Sequence, residues 1–169
     1  MKRYFLIFIV IVMLFSSCSA RDTTTKDIVN QLCSVEAGLP SGTVYFSGAD
    51  PGRAEFLRKE MLATTFGIPL DFDGIESGAI WLSGFRHPCE FAVFLCKDAN
   101  SAEDVALFCN QRIKFLLQNA YSSASLCGMS VEDYKAYISE AIVTISGRYV
   151  ALIISSDPEY ARKEFIKAV

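Results

Sequence analysis

Six cysteines and a single histidine carry the most reactive chemistry open to this 169-residue chain. His87 stands alone, so a multi-histidine metal site and a catalytic triad are excluded. It lies two residues from Cys89, a spacing that puts both side chains on one side of an extended segment and sketches a thiol–imidazole nucleophile pair. Pro88 between them, in a loop, makes a solvated histidine the ordinary alternative. No two cysteines form a C-x-x-C, so redox-motif and zinc-site chemistry lack their ligand spacing. Beyond Cys18 there remain Cys33, Cys89, Cys96, Cys109 and Cys127, an odd number that leaves at least one thiol unpaired within a single chain. Cys96 and Cys109 fall among apolar neighbours and read as small buried hydrophobes. The stretch Asp71-x-Asp73-Gly74-x-Glu76 sets hard oxygen ligands beside a turn-permitting glycine, as a calcium loop does. It lacks the third alternating ligand and the distant glutamate of an EF-hand, and a polar turn accounts for it equally. Catalytic residues, metals and cofactors are therefore all expected to be none.

Cys18 carries a different chemistry. Lys2 and Arg3 precede an apolar run from Tyr4 to Phe15, and Ser16-Ser17-Cys18 follows directly. The run has the length of a signal peptide's apolar region and falls short of the roughly 20 residues of a spanning helix. Two small residues and a cysteine at its end look like a bacterial lipobox, although the position three before the cysteine is Phe15 rather than the usual leucine. Residues 1–17 are thus expected to be a lipoprotein-type signal peptide, with Cys18 acylated by palmitate-like chains and residues 18–23 a lipidated tether. Ordinary cleavage after Ser19-Ala20, giving a secreted protein, is the alternative. The formal charge of −3 becomes more negative once Lys2 and Arg3 are lost, and no lysine–arginine cluster appears downstream. Nucleic acid is not an expected partner.

These residues need a scaffold, and residues 24–169 suit a single domain. Thr24-x-x-Asp27 opens a helix to Val35, and Asp50-Pro51 predicts a second helix running to about Thr65 and stopping at Gly67. Gly38 to Gly42 is a loop, and Val44 to Phe46 a short extended segment. Strands are predicted over Ala79–Ser83, Phe91–Lys97, Ala141–Ser146 and Tyr149–Ser155, the last two joined by Gly147-Arg148. Ser101-x-x-Asp104 caps a long helix reaching Ala120, Ser130-x-x-Asp133 caps a shorter one, and Asp157-Pro158 starts the last. Asp98 with Ala102 and Asp157 with Ala161 follow their hairpins in the same way, suggesting a diverged ββα repeat.

With Gly147-Arg148 as the loop, Val143, Ile145, Val150, Leu152 and Ile154 share one apolar face and are the expected core. The predicted fold is α+β: a two-layer sandwich, a four-stranded antiparallel sheet of two hairpins with helices mainly on one side, in the order αα-ββ-α(α)-ββ-α. If Phe91, Val93 and Leu95 join that core face, Phe94 and Tyr149 alternate onto the open one, with Trp81 beside them. Those three aromatics are the candidate partner-binding face.

Gly38-Leu39-Pro40, Phe66-Gly67-Ile68, Glu90 to Phe94 leading to Lys97-Asp98, and Gly147 to Val150 running into Ser155 to Glu159 resemble a domain-of-unknown-function family of small lipoproteins common in Gram-positive anaerobes. The resemblance spans roughly residues 24–169 and implies an envelope location and a single domain, with no activity or catalytic residues attached. The expectation is an exported protein, lipid-anchored on the outer face of the cytoplasmic membrane, that acts without catalysis as a binding domain for an envelope protein, peptide or wall component. A small cysteine-dependent enzyme or redox protein is the alternative. Replacing Cys18 with Ala should release the protein from the membrane fraction and abolish labelling by a fatty-acid probe. Retention of both would refute anchoring through Cys18.

Overall fold

The computed structural model of the chain describes residues 23–83 and 87–169; the signal segment and Cys18 lie outside them. Helix α1 (Thr25–Val35) opens on a complete capping box, in which the Thr24 hydroxyl accepts from the Asp27 N–H and the Asp27 carboxylate accepts from the Thr24 N–H. Strand β1 (Gly42–Phe46) and helix α2 (Lys59–Phe66) follow. The predicted helix from Pro51 is shorter than expected: residues 51–55 form turns and a bend, Phe56 bridges to Phe46, and helix begins only at Lys59. It ends where expected, on Gly67 at a φ of 70° that favours glycine.

Next come β2 (Ile75–Ser83) and β3 (Glu90–Cys96), then α3 (Ala99–Gln118), α4 (Ala120–Cys127) and α5 (Val131–Ser139). The cap of α3 is Asp98, whose carboxylate accepts from the Ser101 N–H at 2.7 Å, so the helix starts before Ser101. Helix α4 is an additional element. The Ser130 cap of α5 forms as predicted. Strands β4 (Ile142–Ser146) and β5 (Tyr149–Ile154) and helix α6 (Pro158–Ala168) complete the chain.

The strands form one antiparallel sheet in the order β1-β2-β3-β5-β4, five strands rather than four. The extra strand is the Val44–Phe46 segment, which pairs with β2 from Gly42–Ser83 to Phe46–Ala79. Glycine is required at its start, because a Cβ on Gly42 would lie 2.4 Å from the Trp81 ring.

Helices cover both faces, which corrects the two-layer expectation. Helices α2 to α5 enclose Ile80, Ala92, Phe94, Val150, Leu152 and Ile154. On the other side α1 and α6 bring Ile28, Val29, Leu32, Ala161 and Phe165 against Trp81, Phe91, Val93 and Ile153. The reason is compositional: β3, the central strand, and β5 beside it are apolar at nearly every position, and such strands must be buried on both sides.

The hairpin register is as predicted, with Ser146 opposite Tyr149, but the junction between hairpins differs. Phe94 pairs with Val150 and Ala92 with Leu152, so it is Phe91, Val93 and Leu95 that turn away from the Val150–Leu152 face. Of the five expected core residues, Val150, Leu152 and Ile154 are fully buried and Val143 is half-buried, whereas Ile145 on edge strand β4 is 43% exposed. The ββα resemblance persists locally: Asp98 and Asp157 each cap their helix, and Ala102 and Ala161 are both buried. The two helices nevertheless pack on opposite faces, which a twofold repeat about the sheet normal would not produce.

Two ionic contacts brace the frame. Glu90, nearly buried at the start of β3, accepts from Arg112 of α3 at 2.9 Å. Arg148, in the β4–β5 loop, reaches Glu76 at 2.7 Å and donates to the Cys96 carbonyl at 3.0 Å. Leu152→Ala should destabilise the fold by roughly 2–5 kcal/mol, while Ile145→Ala should stay within about 1 kcal/mol. Urea denaturation of both variants checks this, and equal losses would overturn the assigned faces.

Candidate functional site

The aromatic trio does not form a common surface. Phe94 is fully buried against Phe66 on the α2–α5 side, with ring centroids 5.6 Å apart. Trp81 is buried on the opposite face, tilted against Phe91. Tyr149 shares Trp81's face but lies toward the end of the sheet, where it is half-buried.

The histidine–cysteine pair is held in a different arrangement from a nucleophile and its base. His87 Nδ1 accepts the backbone N–H of Cys89 at 3.2 Å, and the imidazole edge meets the Tyr137 ring. Burial, and then the Glu36 carboxylate, push the Cys89 thiol up, the opposite of activation. Its surroundings are polar and sealed: the Tyr137 hydroxyl is buried beside the thiol, Ser155 Oγ is buried without a hydrogen-bond partner among the described residues, and Glu36 accepts the Ser156 N–H at 2.9 Å. Burial raises the other thiols as well, Cys33 to about 12 and Cys96 to about 11. Cys109 and Cys127 are raised for the same reason, and all five are free thiols. The acidic turn is occupied by ion pairs, Asp73 with Lys97 at 3.0 Å and Glu76 with Arg148. Among the described residues no cluster of histidine, cysteine and carboxylates is arranged to hold a metal, and no helix is long and apolar enough to cross a membrane.

Among the described residues, α1 and α6 leave part of the sheet face uncovered, and a groove lies there. It encloses about 690 Å³, and its floor crosses four strands through Phe46, Ser77, Leu95 and Tyr149. The register explains the strip, since Ser77 pairs with Leu95 and Leu95 with Tyr149, all on the face that α1 covers further along. The first turn of α1 makes one wall, where the Lys26 ammonium sits 4.0 Å above the Phe46 ring. On the same rim, Thr24 hydrogen bonds hold the Asp27 carboxyl below its usual range. Glu76 forms the facing edge, fixed by Arg148. The result is an apolar, aromatic floor with a rim of mixed charge, the general form of a ligand pocket.

Compared with family models, curated proteins and solved structures, the chain gives no significant match. Tyr149 was within reach of sequence reasoning; Phe46, Ser77 and Leu95 were not, because only the β1–β2 and β3–β5 registers bring them into line.

Raised thiols make a directional prediction. Thiolate is the reacting species, so Cys33, pushed up to about 12 by burial, should alkylate much more slowly than a free cysteine. Iodoacetamide at mildly alkaline pH, followed by mass mapping, should modify the partly exposed Cys127 and Cys33 before Cys89, Cys96 and Cys109. Rapid modification of Cys89 would restore thiol chemistry as a candidate. The same shift has a stability sign: folded thiols stay protonated where unfolded ones ionise, so stability is full below about pH 9 and declines as pH rises above it.

Proposed function

We propose that this chain is a membrane-anchored envelope lipoprotein whose domain works without catalysis, binding a protein, peptide or wall component in the groove over Phe46, Ser77, Leu95 and Tyr149. The observation that carries the reading is the coincidence of that groove with the α1 N-terminus, so that the binding surface sits where residues 18–23 join the domain. Anchoring rests on the cysteine-terminated signal. Acylation of Cys18 would supply two chains, enough for stable attachment at about 0.8 kcal/mol per buried methylene. The likeness to the small lipoproteins of Gram-positive anaerobes supports the same location. The thiols, pushed up by burial rather than activated, favour binding over a cysteine-dependent enzyme.

Ser77→Arg fills the floor of the groove without removing a core side chain, and Tyr149→Ala removes its aromatic end. Each should weaken capture of partners from envelope extract, the second by about 2 kcal/mol if the tyrosine is an anchor. Tyr121→Ser, on the 83% exposed tyrosine of α4, is the control and should leave capture intact. Loss with Tyr121→Ser and retention with both groove variants would move the binding surface to the helices.

A further inference from the structure

On the opposite side of the sheet from the groove, the turns before α2, helix α2 itself and the loop into β2 surround a second hollow of about 370 Å³. Its wall is apolar, built from Phe56, Leu57, Leu62, Ile68, Phe72 and Ile75. Several of these belong to the main core, so the hollow is an inlet into that core rather than a dent in a polar surface. Glycine keeps part of this packing possible: a Cβ on Gly78 would meet the Phe94 ring at 2.9 Å and Leu57 at 3.2 Å.

The charged groups lining it are confined to three side chains, Lys59, Lys97 and Asp73. Asp73 pairs with Lys97 at 3.0 Å, and the Lys59 ammonium donates to the Leu70 carbonyl at 3.3 Å, a neutral acceptor. The Asp73 carboxylate feels both ammonium groups, so the side chains lining the inlet carry two positive charges against one negative, a net charge of +1 beside an apolar wall. The volume falls in the range of roughly 300–1,000 Å³ typical of small-molecule sites. An apolar wall favours a hydrocarbon tail, and the spare charge favours an anionic head held near the entrance.

We propose that this inlet binds a medium-chain aliphatic carboxylate, its chain against Leu62, Ile68 and Ile75 and its carboxylate beside Lys59. The site is separate from the groove and stands whether or not the groove binds a partner. The entrance is open to solvent, so the charge acts as a modest selector and the tail supplies most of the affinity.

Titration of the chain with octanoate, followed by methyl NMR, tests it. Saturable shifts are expected at Leu62, Ile68 and Ile75, with Leu95 in the groove unmoved. Lys59→Glu turns the spare positive charge into a net negative one and should weaken octanoate binding about tenfold, while octanol, of equal length and uncharged, binds the variant and the parent alike. Absence of saturable shifts at millimolar octanoate, or shifts centred on Leu95, would overturn the site. Equal weakening of octanoate and octanol in Lys59→Glu, or of neither, would overturn the assigned head group.

Discussion

The structure depends on one pairing, β3 against β5. Each is the second strand of its hairpin, and between them lies the whole run from α3 to β4. Neither has a polar side: Phe91, Val93, Ala151 and Ile153 occupy one face and Ala92, Phe94, Val150 and Leu152 the other, all of them fully buried. Once these strands meet, the sheet cannot show either face to water without exposing a continuous apolar surface. The chain meets that constraint by splitting its helices. Those between the hairpins, with α2, close one side, and α1 and α6, the first and last of the described helices, close the other.

That division leaves the ends of the sheet with unlike character. At the Cys89 end, helix α1 finishes near β5, where Glu36 takes the Ser156 N–H and the polar atoms of Tyr137 and Ser155 are shut away from solvent. At the other end α1 begins, and its first turn overhangs the strip from Phe46 to Tyr149 instead of sealing it. The groove is thus a by-product of where α1 starts. Its chemistry comes from residues that the strands would carry in any case.

How much of this is legible from the residues depends on sequence distance. Contacts closed within a few residues read well: the Thr24 and Ser130 caps, the Gly67 stop and the Ser146–Tyr149 register are local and stereochemically demanding. Strand β1 is harder, because Gly42 and Thr43 are exposed and its partner lies far along the chain. The face assignment of Phe94 fails for a sharper reason. Alternation can orient a strand only when one side is polar, and Glu90–Cys96 offers no such contrast, so the choice falls to the non-local pairing with β5. The aromatic site inherited that choice, and only Tyr149 stayed on an accessible surface.

The reach of Arg148 bears on how long the folded state lasts. The side chain sits in the turn of the second hairpin and bonds groups that belong to the first, Glu76 and the Cys96 carbonyl. Neither bond can exist until both hairpins have docked side by side. Interactions absent from the folding transition state leave the rate of folding almost untouched and act on the rate of escape. To the extent that these bonds form after that transition state, the arginine acts as a latch, delaying separation of the two halves of the sheet more than it speeds their meeting.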